Sequence, residues 1–203
     1  VAFVAEFSRG KSELINAIFF ADYGNRMLPS SAGRTTMCPT ELLFDASKQP
    51  CIELLPIQTR ATNSGVTEYK SFPDEWTVVA LDTESPDAMQ DALRHVSETT
   101  RVAPEEAARL GFEVGQGEVE LYRIGADGLV EVPRWRHAMI NFPHPLLKQG
   151  LVILDTPGLN AIGAEPELTL SQLPNAHAVL FILAADTGVT QSDLAIWREH
   201  ICG

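Results

Sequence analysis

Residues 1–12 read VAFVAEFSRGKS, a short apolar run followed by a loop that ends in Gly-Lys-Ser. A continuous apolar run of this length is typical of a buried strand in a parallel sheet. Residues 5–12 match the phosphate-binding pattern G-x-x-x-x-G-K-[ST], except that Ala5 replaces the first glycine. Residues 10–22 follow with apolar side chains at helical spacing. A strand, a phosphate loop and a helix in this order predict an α/β fold.

The chemistry of a phosphate site explains the residue types in this loop. Successive backbone N–H groups can cradle phosphate oxygens, and the helix that begins near Gly10 adds the positive end of its dipole. Lys11 supplies a positive charge for the β- and γ-phosphates, and the Ser12 hydroxyl is suited to ligate Mg²⁺. The predicted nucleotide-binding residues of this segment are Glu6, Phe7, Ser8, Arg9, Gly10, Lys11, Ser12 and Glu13.

A second segment, Asp155-Thr156-Pro157-Gly158, directly follows the apolar run at 151–154. By itself it reads as an ordinary turn, because Asp, Pro and Gly are common turn residues. In a chain that also carries a phosphate loop, it predicts a nucleotide switch. Asp155 would then hold Mg²⁺ through water, and the Gly158 N–H would meet the γ-phosphate. Both segments end strands, and we expect these ends at the same edge of one sheet.

Residues 30–39 form a polar loop rich in Ser, Thr and Pro after the predicted helix. A nucleotide switch needs a threonine in such a loop, because its hydroxyl contacts Mg²⁺ and the γ-phosphate until hydrolysis releases it. Thr35 and Thr36 fit this role, and Thr40 fits it less well. From the residues alone, an ordinary polar loop is an equally good interpretation.

The balance of charge argues against some partners. Acidic residues number 27 and basic residues 15, which gives the 203-residue chain a formal net charge of −12. Such a chain offers no broad attractive surface to nucleic acid or anionic lipid, so we expect no nucleic-acid partner. A local anion site is still compatible with this charge, because backbone amides bind anions without net positive charge.

The three cysteines, Cys38, Cys51 and Cys202, fit neither a zinc site nor a disulfide framework. They indicate a reducing, cytoplasmic compartment. No apolar run approaches the ~20 residues that span a bilayer. Residue 1 is not Met and a helical pattern continues into the last residues, so we expect the chain to be a piece of a longer protein.

Two apolar runs, residues 40–44 and 51–57, predict strands joined by a hairpin connection. Residues 58–145 have a modest and broken apolar content, so we interpret them as an insertion and not as an independent domain. Within them, an apolar stripe predicts a helix at 86–98, and Gly-Ala-Asp-Gly at 125–128 is a hairpin signal.

After residue 145, continuous apolar runs and helical spacing are again clear in the sequence. Buried strands are predicted at 151–154 and 178–184, and a helix is predicted at 192–201. Strands that alternate with helices in this way indicate βαβ units on a parallel sheet.

Three stretches resemble the first three GTPase motifs of the dynamin superfamily, especially those of its bacterial dynamin-like members. They are AEFSRGKSELINAI at 5–18, LPSSAGRTTMCPTE at 28–41 and LVILDTPGLN at 151–160. Family members carry a proline three residues after the switch threonine, so by resemblance Pro39 selects Thr36. The resemblance covers about residues 1–57 and 135–203 and matches the middle only loosely.

This resemblance implies a P-loop NTPase three-layer α/β fold with a mainly parallel central sheet, truncated before its last strands and carrying an α+β insertion. Residues 1–203 would form part of a dynamin-type G domain, with 58–145 as the insertion. The family hydrolyses GTP with Mg²⁺, forms dimers across the nucleotide face and often remodels membranes. The resemblance therefore implies a cytoplasmic GTPase that forms homodimers and lies peripherally at a membrane through parts outside this chain.

The resemblance also assigns roles to single residues. Ser12, Thr36 and Asp155 are the expected metal residues, and Ser8, Lys11 and Thr36 are the expected catalytic residues. Thr36, Asp155 and Gly158 complete the nucleotide-binding set. Eukaryotic members place a water-positioning glutamine where this chain has Phe7, which leaves Ser8, matching the family's small polar residue, as the expected catalytic side chain of the loop.

Two alternatives remain open from the sequence. Ala5 and Phe7 favour a nucleotide-dependent scaffold with negligible turnover. An ATPase of another P-loop branch also fits, because the (N/T)KxD motif that reads guanine is expected only beyond residue 203. GTP specificity therefore rests on the resemblance alone.

Overall fold

The fold is an α/β sheet with helices on both faces, seen in a computed structural model. The structure describes residues 1–5, 10–24, 26–28, 38–112, 124–155, 176–183 and 188–198. The strands are β1 Ala2–Ala5, β2 Thr40–Leu43, β3 Cys51–Pro56, β4 Thr77–Ala80, β5 Thr99–Val102, β6 Val130–Pro133, β7 Trp135–Asn141, β8 Ile153–Asp155 and β9 Val179–Ile182. The helices are α1 Lys11–Phe19, α2 Val66–Tyr69, α3 Pro86–Arg94, α4 Pro104–Arg109, α5 Pro145–Lys148 and α6 Gln191–Ile196.

Seven of these strands form one mixed sheet in the order β4-β3-β7-β2-β8-β1-β9. Strands β8, β1 and β9 run parallel to one another, and β2 runs parallel to β7. The pairs β2–β8, β3–β7 and β3–β4 are antiparallel. Parallel pairing of β1 with β8 brings their carboxyl ends to the same edge, as expected for two strands that each precede a phosphate-binding segment.

Helical layers cover both faces of the sheet, which confirms the predicted α/β fold. Helices α1 and α3 pack on one face, where their apolar side chains join those of the central strands in the main core, which includes Phe3, Ile15, Phe19, Leu42, Met89, Leu93, Ile140 and Ile153. On the opposite face, Val66 of α2 and Trp76 pack against Leu55 and Met139. Side chains alternate between the faces of a strand, so each strand serves both layers.

The predicted hairpin between the strands at 40–44 and 51–57 is wrong. Strands β2 and β3 do not pair, because β7 lies between them, parallel to β2 and antiparallel to β3. Six of the seven residues of β7 are buried, as expected of a strand with neighbours on both sides. Asn141, at its end, accepts a hydrogen bond from the Asp45 backbone N–H at 2.8 Å and so fastens the connection between β2 and β3.

Residues 58–145 contribute to two parts of the molecule. Strands β4 and β7 join the central sheet, whereas β5 and β6 form a separate antiparallel pair. That pair and α4 enclose a small core made of Ile57, Ala107, Leu110, Phe112, Val130 and Val132. The turn predicted at 125–128 is present, since the Gly125 N–H donates to the Leu129 carbonyl at 2.7 Å. That these residues form one insertion stays a prediction.

A buried ionic cluster fastens the segment after α2 to the sheet. Glu41 of β2 is 7% exposed and accepts two hydrogen bonds from Lys70 Nζ, at 2.7 and 2.9 Å. His137 of β7 is fully buried, and its Nε2 lies 3.1 Å from a Glu41 carboxylate oxygen. Burial alone would raise the pKa of Glu41, but His137 and Lys70 outweigh it and lower that pKa to about 2.

Candidate functional site

The candidate functional site lies where β1 and β8 end and α1 begins. Phe3 of β1 is the register partner of Asp155, the last residue of β8. Helix α1 starts at Lys11, and it packs on the sheet face formed by these strands. The first turn of α1 therefore meets the carboxyl end of β8, as the sequence predicted from the two apolar runs.

Lys11 and Ser12 converge on the Asp155 carboxylate. Lys11 Nζ lies 3.6 Å from Asp155 Oδ1, and the Ser12 hydroxyl donates to Asp155 Oδ2 at 3.2 Å. Both charged side chains are buried, with 7% and 4% of their surface exposed. Desolvation lowers the pKa of Lys11, and the neighbouring Asp155 carboxylate opposes that shift. The result is a positive charge held in a poorly solvated place, where its attraction for a phosphate group is strong.

Gly10 gives the chain the turn that leads into α1. Its φ of 74° and ψ of 19° lie in the left-handed region, which residues with a Cβ rarely adopt. Because Gly10 directly precedes Lys11, this turn also sets the direction in which the helix presents its first side chains.

Replacing Gly10 with alanine is expected to reduce the free energy of unfolding by about 1–2 kcal/mol, since alanine must adopt the left-handed conformation. Gly65 is the matched control. Its φ is −75°, and a Cβ at either glycine meets no atom within 4 Å, so conformation alone separates the two positions. Gly65→Ala is expected to change stability by less than about 0.5 kcal/mol. Urea unfolding of the full-length protein measures both, and equal losses would contradict the conformational argument.

Sequence reasoning missed Asn16, a buried polar residue of α1. Its Nδ2 donates to the Leu28 carbonyl at 3.0 Å, and its Oδ1 accepts from the backbone N–H groups of Met27 and Leu28 at 3.2 and 2.8 Å. The available signal was its place four residues after Ser12 and next to Ile15, among the apolar side chains of the helix. Asparagine is a weak helix former, so its presence there indicated a specific contact.

The predicted site residues are placed as follows. Lys11, Ser12 and Asp155 come together. Glu13 lies in the first turn of α1 with its carboxylate 3.2 Å from the Arg26 guanidinium, and the Glu13 and Arg26 side chains are 42% and 65% exposed. Thr40 is the register partner of Asp155, but its hydroxyl donates to the Cys38 carbonyl at 3.1 Å. Outside the described residues lie Glu6, Phe7, Ser8, Arg9, Thr35, Thr36 and Gly158, and their roles stay predictions.

The donor set at this site fits Mg²⁺. A serine hydroxyl and a carboxylate lie within hydrogen-bond distance of each other, and both present the hard oxygen atoms that this ion prefers. Mg²⁺ in nucleotide sites is held by one or two such groups together with phosphates and water. Across the described ranges, no group of three or more His, Cys, Asp or Glu side chains is arranged to hold a metal ion.

A mixed α/β sheet that places a buried lysine and a serine–aspartate pair at its strand ends is typical of a P-loop NTPase-like fold. The model of the dynamin family matches residues 1–201, nearly the whole chain. The chain therefore belongs to the dynamin family.

The chain is also similar to distant relatives. The chain is 24% identical over 204 residues to a bacterial dynamin-like protein of Nostoc punctiforme, a match that covers 98% of the chain and 22% of that protein. Two solved structures describe an oligomerised bacterial dynamin pair that senses and tethers membranes at long range. Each is 19% identical over 89% of the chain, with TM-scores of 0.43 and 0.39. The chain spans about a fifth of the length of these relatives.

Among the described residues, no helix combines the length and the apolar character needed to cross a bilayer.

Proposed function

We propose that this chain binds GTP with Mg²⁺ and that the full-length protein hydrolyses GTP. The observation that carries the proposal is the convergence of Lys11 and Ser12 on Asp155 at the ends of β1 and β8. Membership of the dynamin family supports GTP as the nucleotide. Hydrolysis of a phosphoanhydride requires little covalent chemistry from the protein. The rate acceleration therefore comes from positioning of the reacting groups and from stabilisation of the charge in the transition state.

Each of the three converging residues has a task in this proposal. Lys11 binds the β- and γ-phosphate oxygens and stabilises the charge that develops as the terminal phosphoryl group leaves. Ser12 and Asp155 hold Mg²⁺, the first directly and the second through water, and the ion neutralises charge on the same oxygens when bound. Burial of Lys11 and Asp155 raises the strength of these interactions, because little water competes for them.

Further residues enter the proposal from the resemblance. Ser8 contacts the region between the β- and γ-phosphates, and Thr36 completes the Mg²⁺ ligands and helps to hold the attacking water. Gly158 reports the presence of the γ-phosphate, and the backbone amides of 6–13 bind the phosphates. These assignments follow the positions of this sequence that match the motifs of the family.

The assembly of the protein also belongs to the proposal. Dynamin-family membership supports a homodimer across the nucleotide face and a cytoplasmic protein that acts peripherally at a membrane. Contact with lipid would come from parts outside this chain, since its net charge of −12 disfavours an anionic surface. We further propose that residues 58–145 are an insertion in a partial G domain formed by residues 1–203.

The test is phosphate release from GTP and from ATP by the full-length protein with Mg²⁺, beside a Lys11→Ala variant. We expect release from GTP that exceeds release from ATP, and we expect the variant to release no more than the background. The variant lacks the positive charge of Lys11 that would bind the phosphates, but it keeps the rest of the loop.

Two other outcomes are informative. Nucleotide binding without release, in folded protein, would favour a scaffold that uses the nucleotide for assembly. Release from ATP at least equal to release from GTP would favour an ATPase of another P-loop branch. Either result would overturn the proposed GTP hydrolysis.

A further inference from the structure

Strand β4 forms one edge of the seven-stranded sheet and has β3 on its inner side. Among the residues that the structure describes, no strand pairs with the outer side of β4. Val78 is 60% exposed, and Thr77 and Ala80 are exposed as well. An uncovered edge presents backbone N–H and C=O groups that can pair with another extended chain.

The hydrogen bonds to β3 show which residues of β4 face outward. The two strands are antiparallel, and just past the end of β4 the Leu81 N–H donates to the Pro50 carbonyl at 3.0 Å. In an antiparallel pair, residues that exchange hydrogen bonds with the neighbouring strand alternate with residues that do not. Leu81 and Val79 therefore turn their backbone groups toward β3. Val78 and Ala80 turn theirs outward, so the edge presents two N–H and two C=O groups.

The sequence of β4 contains none of the features that commonly protect an edge strand. Such edges often carry lysine, proline or a bulge, each of which discourages pairing. Strand β4 reads Thr-Val-Val-Ala, and its register with β3 is continuous over these four residues. Its β-branched residues favour strand pairing. By the alternation of side chains, Val78 and Ala80 share one face of the sheet, where an added strand would place small apolar side chains beside them.

Both ends of β4 are negatively charged. Residues 72–90 contain five acidic side chains and no lysine or arginine. Asp74 and Glu75 lie before the strand, Asp82 and Glu84 lie after it, and all four are exposed. An extended segment with basic residues on both sides of an apolar centre would complement this pattern.

The same charges disfavour a second copy of this chain as the added strand. If two copies of β4 paired antiparallel with Val78 opposite Ala80, Asp74 of each copy would come opposite Glu84 of the other. Like charges that face each other across a strand pair are destabilising. A partner that carries the opposite charge avoids this repulsion.

We propose that the outer edge of β4 binds an extended segment of a partner protein that has small β-branched residues at its centre and lysine or arginine on both sides. The segment adds an eighth strand to the sheet. Its main-chain hydrogen bonds to Val78 and Ala80 provide affinity, and its basic residues select it over other extended chains. This interaction is separate from the proposed GTP hydrolysis and does not require bound nucleotide.

The experiment uses a fluorescent peptide, Lys-Lys-Val-Thr-Val-Lys-Lys, and the full-length protein without nucleotide. Fluorescence anisotropy measures binding, and amide hydrogen exchange measures protection along β4. We expect saturable binding and slower exchange at Val78 and Ala80. One control peptide carries a methyl group on the backbone nitrogen of each central residue, and the other has glutamate in place of lysine. Both should bind at least about tenfold more weakly, the first because it lacks the N–H donors and the second because its charges are repelled.

Variants of the protein test the same contact from the other side. Val78→Pro removes an outward N–H but no bond to β3, and an edge strand accepts proline at such a position. We expect it to weaken binding about 3- to 10-fold. Val78→Thr is the matched control, because it keeps the N–H and a β-branched side chain, and its affinity should stay within about twofold. The double variant Glu75→Gln/Asp82→Asn should bind about 3- to 10-fold more weakly and with less dependence on salt.

Three results would overturn the inference. Equal binding of the methylated peptide would show that charge alone attracts the peptide and that no strand is added. Absence of binding, or binding without protection of Val78 and Ala80, would show that this edge takes no such segment in the full-length protein. A dimer of the nucleotide-free protein that dissociates in Val78→Pro, seen by analytical ultracentrifugation, would assign the edge to a second copy instead.

Discussion

The Asp155→Asn variant is expected to lose GTP turnover by about 100-fold or more, because removal of one preorganised electrostatic contact typically costs this factor. The substitution keeps the shape of the side chain and removes the charge that supports Mg²⁺ and faces Lys11 at 3.6 Å. The measurement is phosphate release at saturating GTP across a Mg²⁺ titration. We expect more Mg²⁺ to be needed for half-maximal rate, and an unchanged Mg²⁺ requirement would contradict the role of Asp155.

The same variant should also be less stable, by about 3 kcal/mol, since it leaves the buried Lys11 ammonium without its counter-charge. The control is Asp91→Asn, which breaks the ion pair between Asp91 and Arg94. That pair is shorter, at 2.7 Å, but its side chains are 69% and 65% exposed, so we expect a loss below about 1 kcal/mol. A larger loss at Asp91 would show that distance outweighs burial.

Replacing Glu41 with alanine is expected to destabilise the fold by about 3 kcal/mol, because it leaves Lys70 and the fully buried His137 without the carboxylate that both contact. Glu53→Ala is the matched control. Glu53 accepts two hydrogen bonds from Lys48 at 2.7 and 2.9 Å, the same distances that Glu41 makes to Lys70, but no histidine of the described residues pairs with it. We expect the control to lose about 1 kcal/mol. Urea unfolding of the full-length variants compares them, and equal losses would refute a special role for His137.

The acid dependence of stability provides a second test of Glu41. Its pKa in the folded protein is about 2, below the ordinary value of 4.5, so the carboxylate stabilises the folded state fully above pH 4.5. That contribution is lost as pH falls through the folded pKa. The shift corresponds to about 3 kcal/mol. The Glu41→Gln variant should therefore lose less stability than the wild type between pH 5 and about pH 2, and parallel loss in both would contradict the assignment.

The sequence could predict the elements whose signal is local. The apolar run before Ala5, the helix that begins at Gly10 and the turn at 125–128 all depend on neighbouring residues, and the structure confirms them. The meeting of Lys11 with Asp155 was also predictable, because carboxyl ends of parallel strands share one edge.

The features that the sequence could not predict depend on contacts between distant residues. The position of β7 between β2 and β3 follows from pairing over long separations, and the short turn between two apolar runs pointed to a hairpin instead. In the sequence, Glu41 and His137 look like ordinary polar residues on the exposed face of a strand. Periodicity cannot show that two polar side chains lie buried in contact with each other. Asn16 was missed for the same reason.

The order of strands has a consequence for how the protein is made. Strand β2 lies between β7 and β8, and Glu41 meets His137 across 96 positions of the chain, whereas Ser12 meets Asp155 across 143. Contacts of such separation form slowly, because the intervening chain must close before they stabilise anything. A ribosome that adds about 5–20 residues per second completes α1 many seconds before it delivers Asp155. The candidate site can therefore form only after β8 has been made, well after the helix that carries Lys11 and Ser12.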